Sequence, residues 1–192
     1  MILQKIKFNK NEIIISVGFF LRNELQPLFE KMTPRYVEAY EPKIDVYKAY
    51  KEKVAPNKRF KVFQKAVSNT NGVAILKLRR TQSTICITED EGVEFYPVET
   101  VSMESVLKRV LSKFGYVDKL LLNCEGSEIP IINWTPIELF DKCKFIFVQF
   151  HPFIKVLNIN KSQVLKCIKK LETNFKPDCI STRYFKYRFW HK

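Results

Sequence analysis

Apolar residues in this chain fall into two patterns, short continuous runs and stripes spaced three and four apart, and the two alternate. The runs at Ile13 to Val17, Tyr36 to Tyr40, Phe60 to Val67, Val117 to Leu122 and Phe145 to Phe150 predict strands, and an unbroken apolar run is what a strand covered on both faces requires. The stripes predict helices. One covers Glu24 to Met32, with Leu25, Leu28, Phe29 and Met32 on one face and Pro34 closing it; a second runs from Glu41-Pro42 to about Val54, with Ile44, Tyr47 and Tyr50 as its apolar positions. A third opens at Ser102 and aligns Met103, Val106, Leu107, Val110, Leu111 and Phe114, with Glu104 in the first turn, where a helix dipole favours an acid. A fourth spans Lys161 to Phe175 and turns Val164, Leu165, Ile168 and Leu171 inward.

The remaining segments are shorter. Ile2 to Phe8 alternates as a short edge strand would, Ser68 to Gly72 is a turn cluster, and Val73 to Leu78 reads as a strand that hairpins onto its neighbours. Thr81 to Gly92 is an irregular excursion, after which Phe95 to Val101 is extended. Pro130 and Pro136 keep a helical segment around Glu128 to Ile132 brief, and Asp178 to Tyr187 completes the sheet with an antiparallel pair. Strand–helix–strand alternation predicts right-handed βαβ units, hence an α/β chain with a central, mostly parallel sheet.

The 192 residues, 46% of them hydrophobic, suit one domain over 1–192 with a substantial core. No apolar stretch reaches membrane-spanning length and MILQKIKFNK lacks the features of a secretory signal, so the expectation is a soluble cytoplasmic protein without a membrane partner. Five scattered cysteines, in no CxxC pair, read as reduced thiols in or near the core, and two distant histidines do not predict a metal site. The formal charge of +13, from 33 Lys and Arg against 20 Asp and Glu, attracts polyanions without choosing among them. Because the bases are spread along the chain, a solvated lysine-rich surface competes with a nucleic-acid face. The tail Arg183 to Lys192, RYFKYRFWHK, interleaves aromatics with bases; that alternation serves either a terminal strand with one wet face or base stacking with phosphate contact.

Chemistry concentrates in Val117 to Glu128, VDKLLLNCEGSE, where an apolar run ends in amide, thiol and acid side chains followed by glycine. In an open α/β sheet, ligands bind just beyond the carboxyl ends of the strands, so Asn123, Glu125 and Glu128 stand where a site is expected. Glu125 and Glu128 are read either as catalytic acids or as caps for the short helix, and His151, beyond the next strand, either faces a substrate or serves the structure.

The order of these pieces resembles FkbM-type S-adenosylmethionine-dependent methyltransferases, a branch of the Rossmann-like methyltransferases. The resemblance runs from about Ile13 to Pro152 and rests on Tyr40-Glu41-Pro42, Ala66-Val67-Ser68 with Asn71-Gly72, Val117-Asp118 leading into Asn123-Cys124-Glu125-Gly126-Ser127-Glu128, and Gln149-Phe150-His151-Pro152. It implies a Rossmann-like methyltransferase fold, with helices on both faces of the sheet and an antiparallel C-terminal strand. It further implies methyl transfer to a substrate oxygen, with S-adenosylmethionine held by Ser16, Gly18, Glu41, Val67 and Asn123, and with Asn123, Glu125, Glu128 and His151 at the reaction centre.

The first motif departs from the family's Asp-x-Gly-x-x-x-Gly. Here it reads Ser16-Val17-Gly18-Phe19-Phe20-Leu21-Arg22, so a serine replaces the acid and Arg22 the second glycine. A hydrogen bond to a charged group contributes roughly 1.5–3 kcal/mol, and its loss predicts weakened cofactor affinity. Asn123 and Gln149 likewise stand where the family carries acids, so proton removal would fall to Glu125, Glu128 or His151, because an amide is no general base. The alternative expectation is a methyltransferase-like module without catalysis that binds RNA, DNA or an acidic protein.

Overall fold

The computed structural model describes residues 9–18, 33–55, 57–79, 82–85, 94–152, 159–182 and 185–192. The expected strand at Ile2 to Phe8, the expected helix at Glu24 to Met32, and Arg22 lie outside them.

In chain order the described strands are β1 (Ile13–Val17), β2 (Tyr36–Tyr40), β3 (Phe60–Phe63), β4 (Ala66–Ser68), β5 (Gly72–Arg79), β6 (Gln82–Thr84), β7 (Glu94–Ser102), β8 (Lys119–Leu122), β9 (Phe145–Gln149), β10 (Phe175–Ser181) and β11 (Lys186–His191). The helices are α1 (Ile44–Val54), α2 (Met103–Phe114), α3 (Glu128–Trp134), α4 (Ile137–Phe140) and α5 (Lys161–Glu172). A seven-stranded sheet has the order β10-β11-β9-β8-β1-β2-β3. Its β9-β8-β1-β2-β3 portion is parallel, while β11 runs antiparallel to both β9 and β10.

The sheet is covered on both faces, as its apolar strands demand. On one side Val106, Leu107 and Val110 of α2, Ile131 and Ile132 of α3, and Val164, Ile168 and Leu171 of α5 pack with alternate residues of β1, β8 and β9. On the other, Val46, Tyr50 and Val54 of α1 meet Ile14, Val37, Ala39 and Leu121. Lys170 of α5 donates to the main-chain oxygens of Asn133 (2.9 Å) and Thr135 (2.7 Å), tying α5 to the end of α3.

Several expectations need correction. The run Phe60 to Val67 breaks at Gln64-Lys65: β3 stays in the large sheet, whereas β4 pairs in parallel with β7 in a second sheet of order β4-β7-β5-β6. The polar pair interrupts the apolar run, and Lys65 turns out to Glu99. In α1 the buried stripe is Val46, Tyr50 and Val54, one residue every four, and Ile44 is exposed. In α5, Cys167 takes the inward place assigned to Leu165, because 164, 167, 168 and 171 share one stripe and residue 165 lies about 100° away from 164 around the helix. Helix α4 had no recognisable stripe in the sequence, and Cys179, expected near the core, is exposed.

Helix α2 follows its sequence signals closely. Ser102 caps it by accepting from the Ser105 N–H at 3.1 Å, and Gly115 ends it at φ 79, where a side chain is disfavoured. The Asn71 side chain accepts from the Ser102 N–H (2.8 Å) and donates to the Ser105 hydroxyl (3.2 Å), so the Asn71-Gly72 match to the family pattern fastens the start of this helix.

Candidate functional site at the strand tips

Strand order reverses at β1: the chain builds outward to β2 and β3 on one side and to β8 and β9 on the other. A crevice at the carboxyl ends of the strands flanking such a point is the usual ligand position in this architecture. The tips of these strands are stitched together by main-chain bonds. Gly18 N–H donates to the Tyr40 oxygen (3.1 Å), Asn123 N–H to the Val17 oxygen (2.9 Å) and Glu41 N–H to the Phe63 oxygen (3.0 Å). Gly18, Glu41, Asn123 and His151 therefore end four adjacent strands, or follow directly on them, at one edge of the sheet.

Gly18 is required here by its neighbour. It sits at φ 75, and a Cβ at this position would lie 1.8 Å from the Asn123 carbonyl oxygen and 2.5 Å from its carbon. The first-motif glycine thus permits the close approach of two strand tips. Ser16 is buried within β1, next to its last residue, whereas Val67 is buried in β4 of the second sheet, packed into the main core cluster. Glu41 is buried, and its Oε1 accepts the Lys43 N–H at 2.9 Å.

Beyond β8 the chain turns through Glu125 at φ 49 and Gly126 at φ 107 into α3. Glu128, fully buried, reaches back over this turn: its Oε1 accepts from the Cys124 N–H (2.6 Å) and its Oε2 from the Gly126 N–H (2.8 Å). The same Oε1 is 3.0 Å from Nδ1 of His151, itself buried at the tip of β9. Nε2 of His151 faces the Gln149 amide nitrogen at 3.1 Å and a Glu125 carboxylate oxygen at 3.6 Å. With the ring neutral, Nδ1–H donates to Glu128 and Nε2 accepts from Gln149. With the ring protonated, both nitrogens donate and the amide must present its oxygen.

Burial alone would discourage charge on all three groups, but the pairing divides them. Burial disfavours the His151 cation, yet the facing Glu128 carboxylate, its hydrogen bond and Glu125 hold the imidazole pKa above its ordinary value. Burial would raise Glu128 as well; His151 and the main-chain N–H donors outweigh it and keep this carboxyl below the usual range. For Glu125 burial wins, with Glu128 adding to it against the pull of His151, and its pKa is raised. The arrangement is a buried histidine–carboxylate pair in which the carboxylates favour the cationic ring, with a second, more easily protonated carboxyl at its edge.

One network had escaped the reading of the sequence. Glu38, buried in β2, accepts from Tyr36 (2.6 Å), Tyr40 (2.8 Å) and Arg109 of α2, whose two terminal nitrogens lie 3.0 and 2.8 Å away. It fixes α2 against β2, the strand that leads into Glu41. A lone acid within an apolar run was its visible signal. Asp118, part of the family resemblance, sits at the opposite end of the sheet, where it accepts the Ile13 N–H at 2.8 Å. In the tail, Lys186–His191 form β11 between β9 and β10, while Arg183 lies outside the described residues.

Among the described residues, no cluster of His, Cys, Asp and Glu is arranged to hold a metal ion, and no helix is long and apolar enough to cross a membrane. No family model matches the sequence, and no curated protein matches it. Solved structures do match. The methyltransferase FkbM from Methylobacillus flagellatus KT superposes with a TM-score of 0.58 at 9% identity, over 98% of this chain and 45% of that one. Precorrin-6y C5,15-methyltransferase from Geobacter metallireducens GS-15 gives 0.49 at 12% identity, over 99% and 84% of the two chains. A protein from Streptococcus mutans solved in complex with SAH gives 0.49 at 12%, over 96% and 90%. The chain thus spans about half the length of the FkbM structure, and a likeness at 9% identity speaks for the fold alone. Together with the strand order and the antiparallel β11, it gives this chain the Rossmann-like methyltransferase fold, of the kind seen in FkbM.

Proposed function

We propose that this chain binds S-adenosylmethionine across the tips of β1, β2 and β8 and transfers the methyl group to an oxygen of a second substrate. The observation that carries this reading is Asn123: its side-chain oxygen is buried, without a hydrogen-bond partner among the described residues, beside the point where strand order reverses. A buried acceptor left unmatched costs about 1–3 kcal/mol, and the ammonium of the cofactor's amino-acid end is a donor suited to it. Glu41, at the tip of β2, has the carboxylate chemistry to accept ribose hydroxyls, and Lys43 N–H holds it in orientation.

When bound, the cofactor supplies a methyl group on a cationic sulfur. The chain's own residues then have to align the acceptor and receive its proton. Glu125 suits the second task, since burial raises its pKa, which strengthens it as a base, and it lies at the edge of the buried cluster. His151 and Glu128 act as positioning residues: their pairing fixes the turn that carries Asn123 and Glu125. Alignment of this kind supplies roughly 7–11 kcal/mol of a barrier.

Isothermal titration calorimetry with S-adenosylmethionine tests the reading. Micromolar binding that disappears in Glu41→Ala supports it, and no heat at millimolar cofactor removes it. Glu125→Gln keeps cofactor affinity and loses turnover if Glu125 takes the proton.

A second reading, a methyltransferase-shaped module that binds a polyanion without catalysis, is favoured by uneven charge: residues 159–192 hold nine Lys and Arg against two Asp and Glu. Affinity for single-stranded RNA that falls steeply with salt supports it, because phosphate neutralisation releases counterions. Binding to RNA that is absent or insensitive to salt removes it.

A further inference from the structure

The second sheet has an outer face with the wrong composition for water. In β5 and β7 alternate residues point inward, where Leu76 and Val98 pack with Ala66, and the residues between them point outward. A solvated antiparallel face ordinarily carries polar side chains. Here it presents Val73, Ile75 and Lys77 on β5 beside Glu99, Pro97 and Phe95 on β7, in registered pairs Val73–Glu99, Ile75–Pro97 and Lys77–Phe95. Val73 is 72% exposed, Phe95 53% and Ile75 47%, three of the seven large apolar side chains exposed among the described residues, gathered on one small surface. Contiguous exposed apolar patches mark interaction sites more often than single residues do.

The charges at the two ends of this face decide what fits it. Glu99 stands at one end, where Lys65 bridges to it, and Lys77 stands at the other with its ammonium 5.3 Å from the centre of the Phe95 ring. We propose that this face docks against the same face of a second copy of the chain, about a two-fold axis that lies in the contact plane and crosses the strands at the Ile75–Pro97 pair. That axis reverses strand direction between the copies. Ile75 then meets the partner's Ile75 and Pro97 the partner's Pro97, and each Glu99 carboxylate comes over the partner's Phe95, against the ammonium of the partner's Lys77. The face is self-complementary in charge, as an isologous contact requires. A nucleic acid would meet an apolar surface with an acid on its rim, which offers phosphates little.

Sedimentation equilibrium on the full chain reads this directly. Because the apolar patch is small beside a standard interface, the dimer dissociates in roughly the micromolar range, and a concentration series to about 0.5 mM reaches it. Ile75→Arg abolishes the dimer. Glu99→Lys and Lys77→Glu, each alone, weaken it at least tenfold by placing like charges together twice. Mixed in equal amounts they restore it as a heterodimer, because both cross-contacts then pair opposite charges. Circular dichroism checks that each variant is folded, and Lys65→Ala, which removes only the in-chain partner of Glu99, leaves association intact. A wild-type chain that stays monomeric throughout overturns the proposal. So does a dimer indifferent to Ile75→Arg, or a mixture that fails to recover association.

Discussion

The two ends of the seven-stranded sheet both bury charge, and they do it differently. At the amino end of β1, Glu12 pairs with Lys119, both more than nine-tenths buried, and Asp118 joins the Ile13 N–H to Lys144 at 2.7 Å. At the carboxyl end, Glu128 holds two main-chain N–H groups and His151, with Glu125 beside them. The amino-end pairs contain no imidazole, the one side chain whose ordinary titration falls between pH 5 and 8. The amino end is held by lysine–carboxylate pairs, whereas the carboxyl end carries an imidazole whose pKa its carboxylate neighbours raise. The end that titrates is also the end where this architecture places ligands.

The largest test of that contrast is Glu128→Ala. It leaves the buried His151 ring without its carboxylate partner and two N–H groups without an acceptor, and removing one partner of a buried pair costs about 3–5 kcal/mol. Urea denaturation measures it, and the pH dependence described below should flatten at the same time. Gly18→Ala comes next, at about 3 kcal/mol, since the added carbon collides with the Asn123 main chain at a left-handed φ. Lys119→Met, at the other end, costs about 2 kcal/mol, because Asn9 still donates to Glu12 at 3.1 Å.

The response of stability to pH has a definite sign. His151 has a raised pKa, so its pairing stabilises the fold fully below the ordinary imidazole value, and this contribution fades as pH climbs through the elevated one. Glu128 has a lowered pKa, so its contribution is complete above the ordinary carboxylate value and fades as pH falls through the depressed one. Glu125, raised by burial, opposes folding once ionised, which deepens the decline on the alkaline side. Thermal midpoints should therefore peak between about pH 4.5 and 6.5 and decline on either side. Lys144→Ala is the smallest perturbation, below about 1 kcal/mol, because that ammonium is largely in water.

Strands and capped helices were legible from the sequence because each was dictated by its own residues: an unbroken apolar run for β1, and Ser102 and Gly115 for the limits of α2. Choices made by partners were not. Leu165 and Cys167 are both apolar enough to face a core, and only the seat of α5 against α3 selects Cys167. The break at Gln64-Lys65 depended on which sheet would accept Ala66 to Ser68. For the site, the sequence located the segment after β8 but could not say that Gly18 makes room for Asn123, or that Glu128 folds back onto the turn before it. Both facts are distances between segments more than a hundred residues apart, or bonds made around a corner.

The double hold of Glu128 on the Cys124 and Gly126 N–H groups has a kinetic counterpart. These two amides belong to a turn, the kind of segment whose protons usually trade with deuterium within moments. Releasing either of them here means extracting a carboxylate from the protein interior, so their labelling should be nearly as slow as that of Leu121 in the central sheet. The turn after β8 would thus keep time with the core, and acidification that neutralises Glu128 would be seen first as reduced protection, relative to each amide's intrinsic rate, at those two positions.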